Sequence, residues 1–311
     1  MGAAPPPALI GIDWGTSSLR GALLAADGTV LARHAAPRGL LSVPAGGWPA
    51  VFEAEFGAWR SAHPTLPVLL CGMVGSRQGW AEAPYCPCPA GAADLAAALH
   101  WLQPGRIAIV PGVCSDAPGQ APDVMRGEET QVIGALALQR RRDATLLLPG
   151  THSKWVTAQD GRITALTTHL TGECFALLRQ HSVLARTLAA EADVAFVPEA
   201  FDAGVAQARQ PGGLLHHLFS VRSLALFDRL DPQAGVSRLS GLLIGEELRA
   251  QADTATGLPR PGQPPLLLVG EPGLAMRYQR ALGHWDVPVA SGGDDATWHG
   301  LATLAGTLHM P

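Results

Sequence analysis

Residues 8–13 (Ala-Leu-Ile-Gly-Ile-Asp) make an almost unbroken apolar run ending on an acid, which predicts a buried strand. Leu19–Leu24 predicts a second strand, Asp27-Gly28 a hairpin turn, and residues 29–33 a third strand pairing back. Phe52, Phe56 and Trp59 recur at helical spacing and predict a helix over 52–61. Residues 68–75 read as a buried strand ending in glycine, and 76–89 as a loop rich in Pro, Trp and Tyr. A short helix over 94–102, a strand over 107–110 and a strong helix over 127–140 follow. Strands at 145–149 and 154–158 flank a small-residue turn, and Asp160-Gly161 signals another hairpin. From Thr168 to Arg249 the pattern is mostly helical, punctuated by Gly172, Pro198, Pro211 and Pro232. A buried strand over Pro264–Gly270, a helix to Leu282 and a last helix over Asp295–Leu308 complete the chain.

The order strand, small-residue turn, strand, Asp-Gly turn, strand therefore occurs twice, a repeat of architecture and not of sequence. The first turn is Asp13-Trp14-Gly15-Thr16-Ser17-Ser18 and the second is Pro149-Gly150-Thr151-His152-Ser153-Lys154. A strand that runs into Gly and hydroxyl residues offers main-chain N–H and side-chain O–H groups to an anion. Two such loops predict a polyphosphate held between two lobes. Asp13 is placed to hold Mg²⁺ through water.

Composition narrows the reading. With 311 residues, 47% of them hydrophobic and 15% charged, the chain can build a core across two domains. A net charge of −4 with no basic block argues against nucleic acid or an anionic membrane as the main partner. No apolar run is long enough to span a bilayer. Met1–Pro7 is an Ala/Pro tail without a secretory pattern, and the five cysteines form an odd set, so a cytoplasmic protein with reduced thiols is expected. Cys86-Pro87-Cys88 lacks the spacing and the second ligand pair of a metal site. The His216-His217 pair is expected at the surface.

Five strings taken together resemble the 2-dehydro-3-deoxygalactonokinase family of sugar-acid kinases, within the actin/hexokinase/heat-shock-70 ATPase superfamily. They are Asp13-Trp14-Gly15-Thr16-Ser17, Gly72-Met73-Val74-Gly75-Ser76-Arg77-Gln78-Gly79-Trp80, Asp123-Val124-Met125-Arg126-Gly127-Glu128-Glu129-Thr130-Gln131, Leu148-Pro149-Gly150-Thr151-His152-Ser153-Lys154-Trp155 and Thr171-Gly172-Glu173. They run in the family's order over nearly the whole chain, and match less sharply beyond residue 185. The resemblance implies an α/β fold of two actin-like (ribonuclease H-like) lobes with a cleft between duplicated domains. The N-terminal lobe is expected over 1–140 and the C-terminal lobe over 141–290, with 291–311 as a helix returning to the first lobe. The implied reaction is ATP- and Mg²⁺-dependent phosphorylation of the 6-hydroxyl of 2-dehydro-3-deoxy-D-galactonate, in galactonate catabolism. The expected partners are that sugar acid and ATP, with no nucleic acid or membrane, and a homodimer is allowed.

Phosphoryl transfer needs positioned phosphates, a divalent cation and an oriented hydroxyl. Gly15, Thr16 and Ser17 are candidates for one phosphate contact, and Gly150, Thr151, His152 and Ser153 for the other. Lys154 either reaches a phosphate or is solvated. Asp123, ahead of the predicted helix, is the candidate general base or else a helix cap, with Asp116 as runner-up. Arg77 is the candidate for the substrate carboxylate, since arginine matches a carboxylate with two parallel bonds, and Arg126 is a second. Ser76, Gln78 and Glu128 are further substrate candidates. Trp80 is a sugar wall or a core residue, and Tyr85 can stack on the sugar. Gly270, in Leu267-Leu268-Val269-Gly270-Glu271-Pro272-Gly273, is the candidate for close approach to adenosine. Other readings are a kinase of this fold for 2-keto-3-deoxygluconate or for a neutral or amino sugar, and an actin- or chaperone-type ATPase switch.

Overall fold

The computed structural model describes residues 5–119, 121–190, 194–254 and 257–308. The chain divides into two compact units: Met1–Leu146 with Trp155–Thr167 and Ser291–Pro311, and Leu147–Lys154 with Thr168–Ala290.

The elements run in this order: β1 (Pro7–Trp14), β2 (Leu19–Ala25), β3 (Val30–Ala36), α1 (Trp48–Ala62), β4 (Val68–Cys71), β5 (Tyr85–Pro87), β6 (Ala90–Gly91), α2 (Ala92–Ala97), β7 (His100–Gln103), β8 (Ile107–Ile109), β9 (Gly112–Ser115), β10 (Asp123–Met125) and α3 (Glu128–Leu138). They continue with β11 (Ala144–Leu148), β12 (Ser153–Gln159), β13 (Arg162–His169), α4 (Thr171–His181), α5 (Pro198–Ala208), α6 (Gly213–Leu226), α7 (Pro232–Ala252), β14 (Leu266–Leu268), α8 (Pro272–Gly283), β15 (Val289–Ser291) and α9 (Ala296–Thr307).

One sheet has the order β3-β2-β1-β4-β8-β7, a small one β10-β9-β5, and a third β15-β14-β11-β12-β13-β6. β1 pairs antiparallel with β2 and parallel with β4, with Asp13 opposite both Arg20 and Cys71. The alternation in β1 sends Ile10, Ile12 and Trp14 into a core with Phe52 and Phe56 of α1. The opposite face is covered as well, because an added Cβ on Gly11 would meet Leu301 of α9 at 2.9 Å. A strand buried on both faces reads as a continuous apolar run, which is why β1 was visible in the sequence. The second unit is largely helical around Leu184, Val221, Val236, Leu239 and Leu242.

Several expectations are corrected. The helix expected over 94–102 stops at Ala97, and His100–Gln103 instead pairs antiparallel with β8. Neighbouring strand edges outweigh weak local helix propensity there. The loop expected over 76–89 contains β5, which pairs in parallel with β9. α3 begins at Glu128 and ends at Leu138, and its N-cap is Gly127, so Asp123 is a strand residue and not a cap. Of the expected surface pair, His217 is buried, with Nε2 3.2 Å from the Pro211 carbonyl. Among the described residues, no helix is long and apolar enough to cross a membrane.

Candidate functional site

In the first unit, β1 delivers Asp13 to the edge of the first loop. Its carboxylate pairs with Arg20 across the hairpin and is only 12% exposed. The loop beyond is shaped by main-chain bonds. Gly15 N–H donates to Ser18 O at 2.9 Å, and Leu40 and Leu41 N–H donate to Gly15 and Thr16 O at 3.0 and 3.2 Å. Thr16 and Ser17 face outward. Trp14 anchors the loop from below, donating its indole N–H to Arg38 O at 2.7 Å.

Two glycine turns close on this loop. Gly72, at φ +90°, follows β4, and an added Cβ there would lie 2.8 Å from Trp14 O and 3.1 Å from Asp13 Oδ1. Gly127, at φ +107°, lies so close that its own added Cβ would stand 3.1 Å from Gly72 Cα. Left-handed backbone and the absence of a side chain let the Gly72 turn close on Asp13 and the Gly127 turn close on Gly72. From the Gly72 turn the chain runs to Ser76, whose buried Oγ has no hydrogen-bond partner. Arg77 is 87% exposed, with Nε 3.2 Å from Glu82. Gln78 is exposed too. Trp80 packs on Phe52 and Trp14, with ring centroids 5.3 and 6.5 Å apart.

The Gly127 turn follows Arg126, whose guanidinium lies 4.3 Å above the Tyr85 ring and donates from Nη2 to Ala83 O at 2.8 Å. Arg126 Nε and Nη1 are buried and make no hydrogen bond. Asp123 opens β10 opposite Ser115, and its Oδ1 accepts the Val124 N–H at 2.8 Å. Asp116 lies just beyond β9 and is exposed. Glu128 accepts the Arg126 N–H at 3.1 Å.

The sequence reading places Glu129 beside Glu128 in the first turn of the helix, without its burial. Glu129 is fully buried and accepts Gly127 N–H at 2.6 Å and the Thr130 hydroxyl at 3.0 Å. Burial, reinforced by Glu128, pushes its carboxyl up to about 8. The available signal was the spacing of Glu129, Ile133 and Leu136, which places the acid on the apolar stripe of α3.

In the second unit, the loop between β11 and β12 packs on the start of α4. An added Cβ on Gly172 would stand 2.3 Å from Gly150 O, and Glu173 N–H donates to Thr151 O at 2.9 Å. His152 Nε2 lies 2.6 Å from Glu173 Oε2. Lys154 is buried, not solvated, and Nζ donates to Thr168 Oγ1 at 2.8 Å. Ser153 is fully buried, and its Oγ lies 2.7 Å from Tyr278 Oη. The Gly270 segment reaches the same loop: Val269 N–H donates to Leu147 O at 3.0 Å, and an added Cβ on Gly270 would touch Pro149 at 3.4 Å. Glu271 caps α8 by accepting the Gly273 and Leu274 N–H groups, which holds its carboxyl below the ordinary value.

Among the described residues, no group of three or more His, Cys, Asp or Glu side chains could hold a metal ion. The donor chemistry fits Mg²⁺ in another way. That ion keeps most of its water and takes one or two carboxylates plus substrate phosphates. A single half-enclosed carboxylate such as Asp13 meets that need.

The profile of the family described as 2-keto-3-deoxy-galactonokinase matches residues 13–304. The 2-dehydro-3-deoxygalactonokinase of Escherichia coli (strain K12) is 35% identical over 298 residues, covering 95% of this chain and 97% of the relative. A crystal structure of a candidate 2-dehydro-3-deoxygalactonokinase from Sinorhizobium meliloti superposes with a TM-score of 0.83 at 34% identity, covering 96% of this chain and 98% of that one. Component A of the (R)-2-hydroxyglutaryl-CoA dehydratase of Acidaminococcus fermentans superposes with a TM-score of 0.52 at 12% identity, covering 96% of this chain and 95% of that one. At that identity the likeness speaks for the fold alone.

Proposed function

The chain belongs to the 2-keto-3-deoxy-galactonokinase family, and from that premise we propose that it transfers the γ-phosphoryl group of ATP to the 6-hydroxyl of 2-dehydro-3-deoxy-D-galactonate. The products are 2-dehydro-3-deoxy-6-phospho-D-galactonate, ADP and the hydroxyl proton. The observation that carries this reading is the meeting of three segments in the first unit: Asp13 with its loop, the Gly72 turn leading to Ser76, and the Gly127 turn between Arg126 and Glu128. A loop suited to phosphate and a segment suited to a sugar acid then share one rigid point, as phosphoryl transfer to a small acceptor requires.

In this reading Asp13 holds Mg²⁺ through water, and the ion, when bound, offsets charge on the transferring phosphoryl group. Gly15, Thr16 and Ser17 contact one part of the triphosphate. Gly150, Thr151 and His152 contact another through main-chain N–H groups, and Lys154 adds positive charge behind them. Gly270 lets the main chain approach adenosine. Asp123 orients the acceptor hydroxyl and takes its proton late, because little bond formation has occurred at the transition state. Arg126 receives the substrate carboxylate. Its guanidinium is fixed over Tyr85, and its Nε–H and Nη1–H groups, buried without a hydrogen-bond partner, are left to bond carboxylate oxygens. Ser76, Gln78 and Glu128 bond the remaining oxygens, Arg77 adds a solvent-facing cation, and Trp80 supports the segment from the core. The enzyme is read as cytoplasmic.

The test is a coupled ATP-consumption assay over 2-keto-3-deoxy sugar acids and neutral sugars, with Asp123→Asn alongside. Fast turnover on the galactonate derivative, lost in the variant, is expected. Turnover on a neutral sugar would overturn the role given to Arg126. ATP use that no acceptor accelerates would favour a nucleotide switch instead.

A further inference from the structure

Ser153 lies in the second loop, where a hydroxyl is expected to face phosphate. Its side chain faces the other way. Ser153 Oγ lies 2.7 Å from Tyr278 Oη on α8, and the Tyr278 hydroxyl donates to Glu247 Oε2 on α7 at 2.6 Å. Thr171 Oγ1, at the start of α4, donates to the same carboxylate oxygen. Ser153, Tyr278 and Glu247 are all buried.

The count of hydrogens sets the direction of this chain. A phenol carries one hydrogen, and a carboxylate oxygen that receives two hydroxyls is the acceptor of both. The Tyr278 hydrogen therefore goes to Glu247. Ser153 has to donate its own hydrogen to the Tyr278 oxygen, so that hydrogen is used inside the protein.

From this geometry we propose that Tyr278 and Glu247 are positioning residues for the second phosphate loop, holding Ser153 and Thr171 so that the loop offers main-chain N–H groups, and not the Ser153 hydroxyl, to the nucleotide. The proposal rests on the kinase reading above. Glu247 acts at two places. Through Tyr278 it holds the end of the loop, and through Thr171 it holds the start of α4, on which the loop packs at Gly172 and Glu173. The four groups come from α4, α7, α8 and the start of β12, so the junction fixes the loop against three helices. Burial and the adjacent Glu247 both push the Tyr278 phenol up, so it stays a neutral donor.

The test uses the full chain, with ATP and sugar acid varied independently and ADP binding measured by calorimetry. Tyr278→Phe removes one oxygen and leaves the ring. Its ADP Kd and ATP KM should rise about tenfold, with the sugar-acid KM within about twofold. Ser153→Ala removes only the Ser153–Tyr278 bond and should cost no more than Tyr278→Phe, and the double variant should be no worse than Tyr278→Phe, which already lacks that bond. Glu247→Gln retains an oxygen acceptor and should cost about threefold. A Ser153→Ala effect that adds to that of Tyr278→Phe would mean that Ser153 bonds phosphate directly, and would overturn the proposal. Equal rises in both substrate constants, following a fall in Tm, would mean a merely structural role and would overturn it too. If the unaltered chain bound no ADP, the kinase reading and this inference would fall together. If it bound ADP and all variants bound it equally well, this inference alone would fall.

The chain has two tyrosines, Tyr85 and Tyr278. In a Tyr85→Phe background, tyrosinate absorbance reports Tyr278 alone, and Glu247→Gln should bring its appearance to lower pH. An unchanged titration would contradict the assigned bond.

Discussion

The first loop is shaped by its own main chain, whereas the second is held by buried side chains from distant helices. In the first, Gly15, Thr16, Leu40 and Leu41 bond one another through the backbone, and Thr16 and Ser17 are exposed. In the second, Ser153, Tyr278, Glu247 and Thr171 form a buried hydroxyl–carboxylate chain. A backbone-held loop tolerates side-chain change and depends on its one acid. A loop held by a buried polar chain depends on residues that never touch the ligand, because a buried polar group left without its partner is costly.

The sharpest break in this comparison is at Asp13. Asp13→Asn should lower kcat by about 10²–10³-fold, as expected when the carboxylate that would hold the charge-offsetting ion is lost. Melting temperature should hardly move, since the Arg20 partner is more than half exposed. Steady-state kinetics beside a thermal melt would check this. No residue of the second loop should show so large a kcat loss at unchanged stability.

Next in size is the contrast between the two arginines of the first unit. Arg126→Gln should raise the sugar-acid KM by about 10–100-fold, the worth of a desolvated charge-assisted carboxylate contact. Arg77→Gln should change it by less than about threefold, because that side chain is solvated and paired at the surface. Both measurements need the ATP KM as an internal control.

A smaller break separates the loop from what lies behind it. Gly172→Ala places a Cβ 2.3 Å from the Gly150 carbonyl and should cost about 1–3 kcal/mol in denaturant melts, with a raised ATP KM. Gly150→Ala meets nothing within 4 Å and should stay within about 0.5 kcal/mol of the parent. Equal effects would mean that the packing on α4 does not restrain the loop.

The smallest effect depends on pH. Burial holds Glu129 protonated up to about 8, against an ordinary 4.5, with Glu128 adding to the shift. A native pKa above the unfolded one gives stability that is complete below the unfolded value and is lost as pH rises through the native value. Glu129→Gln cannot ionise, so its Tm should gain a few degrees on the parent as pH rises from about 4.5 to about 8, with the gap steady above that. A gap that stayed constant with pH would show that Glu129 does not titrate in this range.

Much of the frame was legible from local pattern. β1, β2 and β4 were visible because buried strands read as apolar runs, and β3 because the Asp27-Gly28 turn predicts a strand pairing back. Asp13, Gly15 and Gly150 could be named because small-residue turns after such strands are local features. β5, β9 and β10 were not legible, since Tyr85–Pro87, Gly112–Ser115 and Asp123–Met125 lack the apolar run that marks β4 or β8 and are made strands by their partners. Asp123 was accordingly read as a helix cap or a base ahead of a helix, and stands in β10. Ser153 looked like a phosphate donor because a turn serine usually presents its hydroxyl outward, and here a tyrosine 125 positions away takes it.

By itself the sequence determined which segments become buried strands, where the two small-residue loops fall, and which family the chain resembles, because each of these is written in near-neighbour spacing. The tertiary structure alone decided which of the two arginines has buried N–H groups without a partner, that Glu129 is sealed in a core, and that Tyr278 and Glu247 stand behind the second loop. Those facts depend on desolvation and on hydrogen bonds between residues far apart in the chain. Neither leaves a local trace, because the same Arg, Glu, Tyr or Ser reads identically whether folding places it in water or against a partner.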